Sequence, residues 1–260
     1  MTGFDEDFAA DMDARGAARS RTVTVGWTVR AAKAGLIWAP PEPFTRNDRK
    51  APSAKSVQYC PAAVEFDRRH FVVPCPFDLT LQFEQLPNGQ LQLKDAAGEG
   101  SAVRPTGLRD IVVLHPQSEW RDPARPVIQI VAPYIFIADE PCYVVQTPPY
   151  LHYLPTPRPG VQVGGRFPVH VWPRPLSWGF EWHDPKQALR LRRGEPWFYV
   201  HFETENPAAR VRLVETEMTP ELESYVNSIV DVSNYVNKTF SLFSEAQARR
   251  PATLVRPKKS

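Results

Sequence analysis

Between residues 126 and 203 the chain is a succession of short β-branched and aromatic segments cut apart by proline, and five of its seven tryptophans fall there or just ahead, at Trp120. Proline fixes φ and removes a backbone donor, so it breaks helices and keeps strands short. A region of this kind folds as a sheet of many brief strands and as little else. Proline reaches 28 of 260 residues, about twice an ordinary share, which extends the constraint to the whole chain.

Period-two alternation locates the strands. Val23, Val25, Trp27 and Val29 alternate with Thr22, Thr24, Gly26, Thr28 and Arg30. Leu79, Leu81 and Phe83 alternate with Thr80 and Gln82, and Leu91 and Leu93 follow. Pro87-Asn88-Gly89 between them supplies the positive-φ positions of a tight turn, so residues 78–94 read as a hairpin. Further strands are expected at 71–73, 111–114, 127–131, 134–138, 142–146, 161–163, 167–172, 176–182, 188–191, 197–203 and 210–215, with 39–56 and 95–109 as loops. No helical pattern lies between them. The sequence therefore implies a mainly β fold, an antiparallel β-sandwich of jelly-roll-like form with a cupin-like variant as the alternative, over residues 21–216.

The pattern changes at Thr219-Pro220-Glu221, which offers a helix N-cap, a proline at the first helical position and an acid in the first turn. Leu222, Val226, Ile229, Val232, Val236, Phe240 and Phe243 then recur at spacings of three and four, implying one long amphipathic helix within 217–249. Its stripe suits packing on the domain, or self-association through a nearly heptad seam. Residues 1–20, with Asp5, Glu6, Asp7, Asp11 and Asp13, read as a disordered acidic tail, and 250–260 as a basic one.

A formal net charge of +2 is too small to argue for nucleic acid. Arg190, Arg192 and Arg193 fit a charged sheet edge better than a nucleic-acid patch. No apolar run approaches the ~20 residues of a membrane span, and acids stand where a secretory signal carries bases. A cytoplasmic protein without a membrane partner is the expectation. Cys60, Cys75 and Cys142 match no zinc or redox spacing and read as reduced thiols.

Three constellations could carry chemistry. On the strand 197–203, Trp197, Tyr199, His201 and Glu203 fall on one face by alternation, and His170 on a neighbouring strand could oppose them. Two histidines and a carboxylate are the ligand set of a non-haem iron oxygenase, with Fe(II) as cofactor. The tight His-x-Asp or His-x-His spacing of cupins and 2-oxoglutarate enzymes is absent, and packed histidines are the ordinary alternative. Second, Tyr150, Tyr153, Trp172, Trp178 and Trp182 are either core rings or the lining of a groove for a sugar, a peptide or a flat ligand. Third, Arg158, Arg166 and Arg174 lie among those rings and could grip a carboxylate or phosphate. Neither a Gly-x-Ser-x-Gly elbow nor a phosphate loop occurs.

Cys60-Pro61, the run Phe71-Val72-Val73-Pro74-Cys75-Pro76-Phe77-Asp78-Leu79 and Arg193-Gly194-Glu195-Pro196-Trp197 resemble a loosely defined group of uncharacterised β-rich proteins of bacteria and tailed bacteriophages. The likeness spans residues 59–203. It implies a β-sandwich core and a virion or phage-accessory setting, and brings no catalytic residues with it. The leading expectation is a non-enzymatic binding or structural module that engages a protein or small-molecule ligand through Tyr150, Tyr153, Arg166, Trp172, Arg174, Trp178 and Trp182. The alternative is a cupin-like, 2-oxoglutarate-type iron oxygenase with His170, His201 and Glu203 as ligands.

Overall fold

The computed structural model describes residues 22–30, 36–45, 59–89, 91–98, 101, 103, 105–233 and 239–258. In chain order the elements are β1 (Thr22–Val29), β2 (Glu42–Pro43), α1 (Pro61–Asp67), β3 (His70–Pro74), β4 (Leu79–Gln85), β5 (Leu91–Asp95), α2 (Pro105–Ile111) and β6 (Val112–Leu114). There follow β7 (Val127–Ala132), β8 (Tyr134–Ala138), β9 (Cys142–Thr147), β10 (Gly160–Val163), β11 (Gly165–Pro168), β12 (Leu176–Trp182), β13 (Leu189–Leu191), β14 (Pro196–Thr204), β15 (Arg210–Glu215), α3 (Pro220–Ser233) and α4 (Thr239–Ala248). The fold is mainly β, as alternation and proline content imply.

The strands form four sheets: β11-β9-β14-β3-β2, β10-β12-β7-β6, β13-β4-β5 and β15-β1-β8. Among the described residues every pairing is antiparallel except β1 with β15, which run parallel with Val25 opposite Leu213. The 78–94 hairpin forms as β4 and β5, and its turn places Gly89 at φ 82°, where a side chain would be strained. One hydrophobic core draws Phe198, Val200 and Phe202 from β14, Val144 from β9, Trp178, Phe180 and Trp182 from β12, and Ile128 and Ile130 from β7.

Strand β8 is buried on both sides. Tyr134, Phe136 and Ala138 enter the main core, whereas Ile135 and Ile137 meet Leu222, Tyr225, Val226 and Ile229 of α3 and Ala246 of α4. That described part of the helical stripe is thus covered by the chain's own sheet. The Thr219 cap forms, with the Leu222 N–H donating to Thr219 Oγ1 at 3.2 Å. The one long helix expected within 217–249 is instead two. The Tyr225 hydroxyl lies 2.7 Å from the Val171 carbonyl and 3.0 Å from that of Ala246, 21 residues on, whereas a straight helix would hold Tyr225 and Ala246 about 30 Å apart. The side chains of Val232, Val236 and Phe240, and the N-terminal residues 1–20, lie outside the described residues.

Two short helices stand where the sequence shows no helical pattern. In α1, Pro61 occupies the first turn and Glu65 accepts from Arg69, but seven residues are too few to show a 3.6-residue period. In α2, Gly107 hides the pattern inside the expected 95–109 loop. The strand expected at 167–172 stops at Pro168, because the Trp172 N–H turns back to the Pro168 carbonyl at 2.9 Å. Residues 250–258 lie along the domain: Arg250 donates to the His170 and Asp139 carbonyls, and Leu254 is buried. No described helix is long and apolar enough to cross a membrane.

Tyr225→Phe should lower the free energy of unfolding in urea by about 1–2 kcal/mol, because two buried carbonyls lose their shared donor. Ser224→Ala, exposed on the same helix, should change it by less than about 0.5 kcal/mol.

Candidate functional site

Alternation along β14 separates core from site. Phe198, Val200 and Phe202 point into the core, so Tyr199, His201 and Glu203 emerge on the opposite face of the five-stranded sheet. Register then fills that face. His70 of β3 stands opposite His201, Val145 of β9 flanks His201 on its other side, and Arg166 of β11 stands beyond Val145. Trp197, expected on the same face, is in the core, because the β14–β3 register shifts between Pro196 and Phe198 and reverses the alternation there.

Two covering segments complete the site: α1 supplies Phe66, and the chain after β9 supplies Tyr150 and His152. Five prolines, Pro148, Pro149, Pro155, Pro157 and Pro159, restrict φ through that connection, and the His152 N–H closes a turn on the Pro149 carbonyl. Its rings are then tied down. His70 Nδ1 lies 2.8 Å from the Phe66 carbonyl, which can only accept, so Nδ1 carries the hydrogen. His70 Nε2 is left as an acceptor for the Tyr150 hydroxyl, 3.1 Å away. His152 Nδ1 pairs with the Tyr199 hydroxyl, and the Leu151 backbone also hydrogen-bonds Tyr199. Phe44 packs edge-on against His152 at 5.4 Å between ring centroids.

The electrostatics keep these groups neutral. Burial holds His70 below the ordinary imidazole range, opposed by its bond to the Phe66 carbonyl and by Asp67. Burial also lowers His201, with the His70 ring 5.1 Å away and Arg69 adding to the effect while Glu203 opposes it. His152 is lowered by burial, and the phenols of Tyr150 and Tyr199 are raised by it.

Beside this clasp opens a pocket of about 330 Å³. Tyr150 and Tyr153 line it with Leu154, Arg158, Val161 and Gln162. Tyr150 is 53% exposed and Tyr153 fully so. Gln162 is 6% exposed, and among the described residues neither its Nε2 nor its Oε1 has a hydrogen-bond partner. Arg158 lies over the Trp178 ring, 5.4 Å from its centroid, and donates through Nη1 and Nη2 to the carbonyls of Trp197 and Pro196 at 2.8 and 2.9 Å. Gly160, at the pocket's end, runs so close to the Glu181 carbonyl that a Cβ there would collide with it.

The residues singled out in the sequence divide among five places. Tyr150 and Tyr153 reach the pocket. Trp178 and Trp182 are wholly buried core rings and line no groove, because β12 turns that face inward. Trp172 packs against Phe243 beside the helices, with Arg174 over its ring. Arg166 lies on the outer sheet face, over Tyr143 and 2.7 Å from Glu203. His201 and Glu203 do adjoin, at 3.9 Å. His170 does not join them: it sits in the turn after β11, with Nδ1 against the Cys142 backbone. Among the described residues no group of three His, Cys, Asp or Glu is placed to hold a metal ion, so the Fe(II) ligand set of the alternative oxygenase reading is not assembled.

His70, His152 and Gln162 escaped the sequence reading. For His70 a signal existed: Phe71 faces the core, so alternation sends His70 outward. No protein-family model matches the chain, and comparison with curated proteins and with solved structures gives no match.

Because His70, His152 and His201 titrate below the ordinary value of 6.5 in the folded protein, the unfolded chain binds more protons over a window opening near that value. Stability is therefore complete above it and is lost as the pH falls toward the folded values. The thermal midpoint should drop between about pH 7.5 and about pH 5.5, and His70→Gln should flatten that slope in a fluorimetric melt.

Proposed function

We propose that the chain is a non-enzymatic binding module whose ligand face is the pocket beside the Tyr150–His70 clasp. The observation that carries the reading is the pairing of two exposed tyrosine rings with a buried, unpartnered Gln162 amide in one pocket. Rings give much contact area at low entropy cost, and unmet buried polar groups call for a partner.

Several groups that acid–base or nucleophilic chemistry would recruit are otherwise engaged, whereas His201 Nδ1 is buried without a partner among the described residues and the Cys60 thiol is exposed. His70 and His152 use ring nitrogens to fix the covering segment. Burial pushes the Cys75 and Cys142 thiols up to about 12, which keeps them protonated and poorly nucleophilic. A jelly-roll-like sandwich is part of the same proposal, supported by the five-stranded and four-stranded sheets each giving a face to one core. The bacterial or phage setting rests on the sequence resemblance alone.

Screening a library of small ring-bearing compounds by saturation-transfer NMR tests the reading. Hits that compete for one site and weaken in both Tyr153→Ala and Gln162→Met are expected. An absence of hits, or hits indifferent to both substitutions, would contradict it.

A further inference from the structure

We infer that this pocket takes a small ring compound bearing one carboxylate, with Arg158 facing the carboxylate, Gln162 pairing a neighbouring polar group and Tyr150 and Tyr153 covering the ring. The inference rests on the binding-module reading and names what the module binds.

Charge is the first argument. Among the residues lining the pocket Arg158 is the one permanently charged side chain, and no carboxylate lines it. Among the described residues Arg158 makes no ion pair; Glu195 acts on it electrostatically without ion-pair contact. It is half-buried against Trp178, and burial holds its pKa below the ordinary guanidinium value. A cation partly withdrawn from water is stabilised by an opposite charge brought to it.

Donor inventory is the second. A guanidinium has five N–H donors, and Arg158 spends one from each terminal nitrogen on the Trp197 and Pro196 carbonyls. The remaining donors suit the two oxygens of a carboxylate. A phosphate, at about −1.5 to −2, would leave excess negative charge in a pocket with one positive group.

Shape and polarity complete the description. A volume of about 330 Å³ suits a single substituted ring, at the small end of ligand sites. The unpartnered donor and acceptor of Gln162 ask for a hydroxyl or amide beside the carboxylate. Aromatic acids and sugar acids share this chemistry.

Four probes at about pH 7 decide the matter by chemical-shift titration of the full chain: benzoate and its neutral isostere benzamide, glucuronate and neutral glucose. At least one acid should saturate a single site, with its neutral counterpart about tenfold weaker or more; whichever acid binds identifies the source. Tyr153→Ala, at a fully exposed position, should weaken the acid without altering the fold. Arg158→Gln should abolish the preference for acid over neutral counterpart, and Arg158→Lys should keep part of it; melts of the unliganded variants report their folding. Neutral probes binding as tightly as the acids would overturn the carboxylate assignment while leaving the binding module standing. Failure of both acids to saturate, or acid binding that survives Tyr153→Ala and Arg158→Gln alike, would also overturn it. The library screen, which is not limited to acids, tests the module separately.

Discussion

Strand β14 has to serve two environments at once, and the rest of the molecule is arranged around that demand. Its inward residues, Phe198, Val200 and Phe202, are almost wholly buried in the main core. The pleat then sends Tyr199, His201 and Glu203 to the other side. Shifting the register by one residue would place a histidine and a carboxylate in the core and three apolar side chains outside. The same packing that fixes the sheet thus fixes the side chains of the candidate site, including His70, which register alone brings opposite His201.

From this face the covering segment gains its position. A proline-rich connection has few backbone donors with which to hold itself, so it is held by side chains: Tyr150 on His70, and His152 on Tyr199. Both bonds use a neutral imidazole, and burial keeps the rings neutral. The pocket wall is consequently held by the chain's own side chains, which would reduce the ordering cost of binding a ligand of the proposed kind. Arg158 ties the far end of the segment to β14 by donating to the carbonyls of Pro196 and Trp197. One strand therefore anchors both ends of the pocket wall.

Much of this was legible in the sequence, and what was not has physical causes. Local patterns act within a few residues, so alternation found the β1 strand, the hairpin closed by Gly89 and the helix start at Thr219. It also put His201 beside Glu203. It failed where a local exception reverses the pattern, as the register shift does at Trp197 and the turn after Pro168 does at His170. Burial of Trp178 and Trp182, and exposure of Tyr150 and Tyr153, depend on which strands become neighbours. A single chain's periodicity carries no such information. The pocket itself joins residues from the proline-rich connection with those of β10, and its orphaned amide, Gln162, looks in the sequence like any polar residue between two valines.

The central claim is that His70 on β3, neutral and protonated at Nδ1, and Tyr199 on β14 clasp the pocket wall through Tyr150 and His152. Long-range proton–nitrogen correlation NMR of the imidazoles at about pH 7.5 reads this directly. The account predicts His70 neutral and protonated at Nδ1, with Nε2 shifted as an acceptor, and a change at that nitrogen in Tyr150→Phe. A charged His70, the opposite tautomer, or an Nε2 signal indifferent to Tyr150→Phe would contradict it.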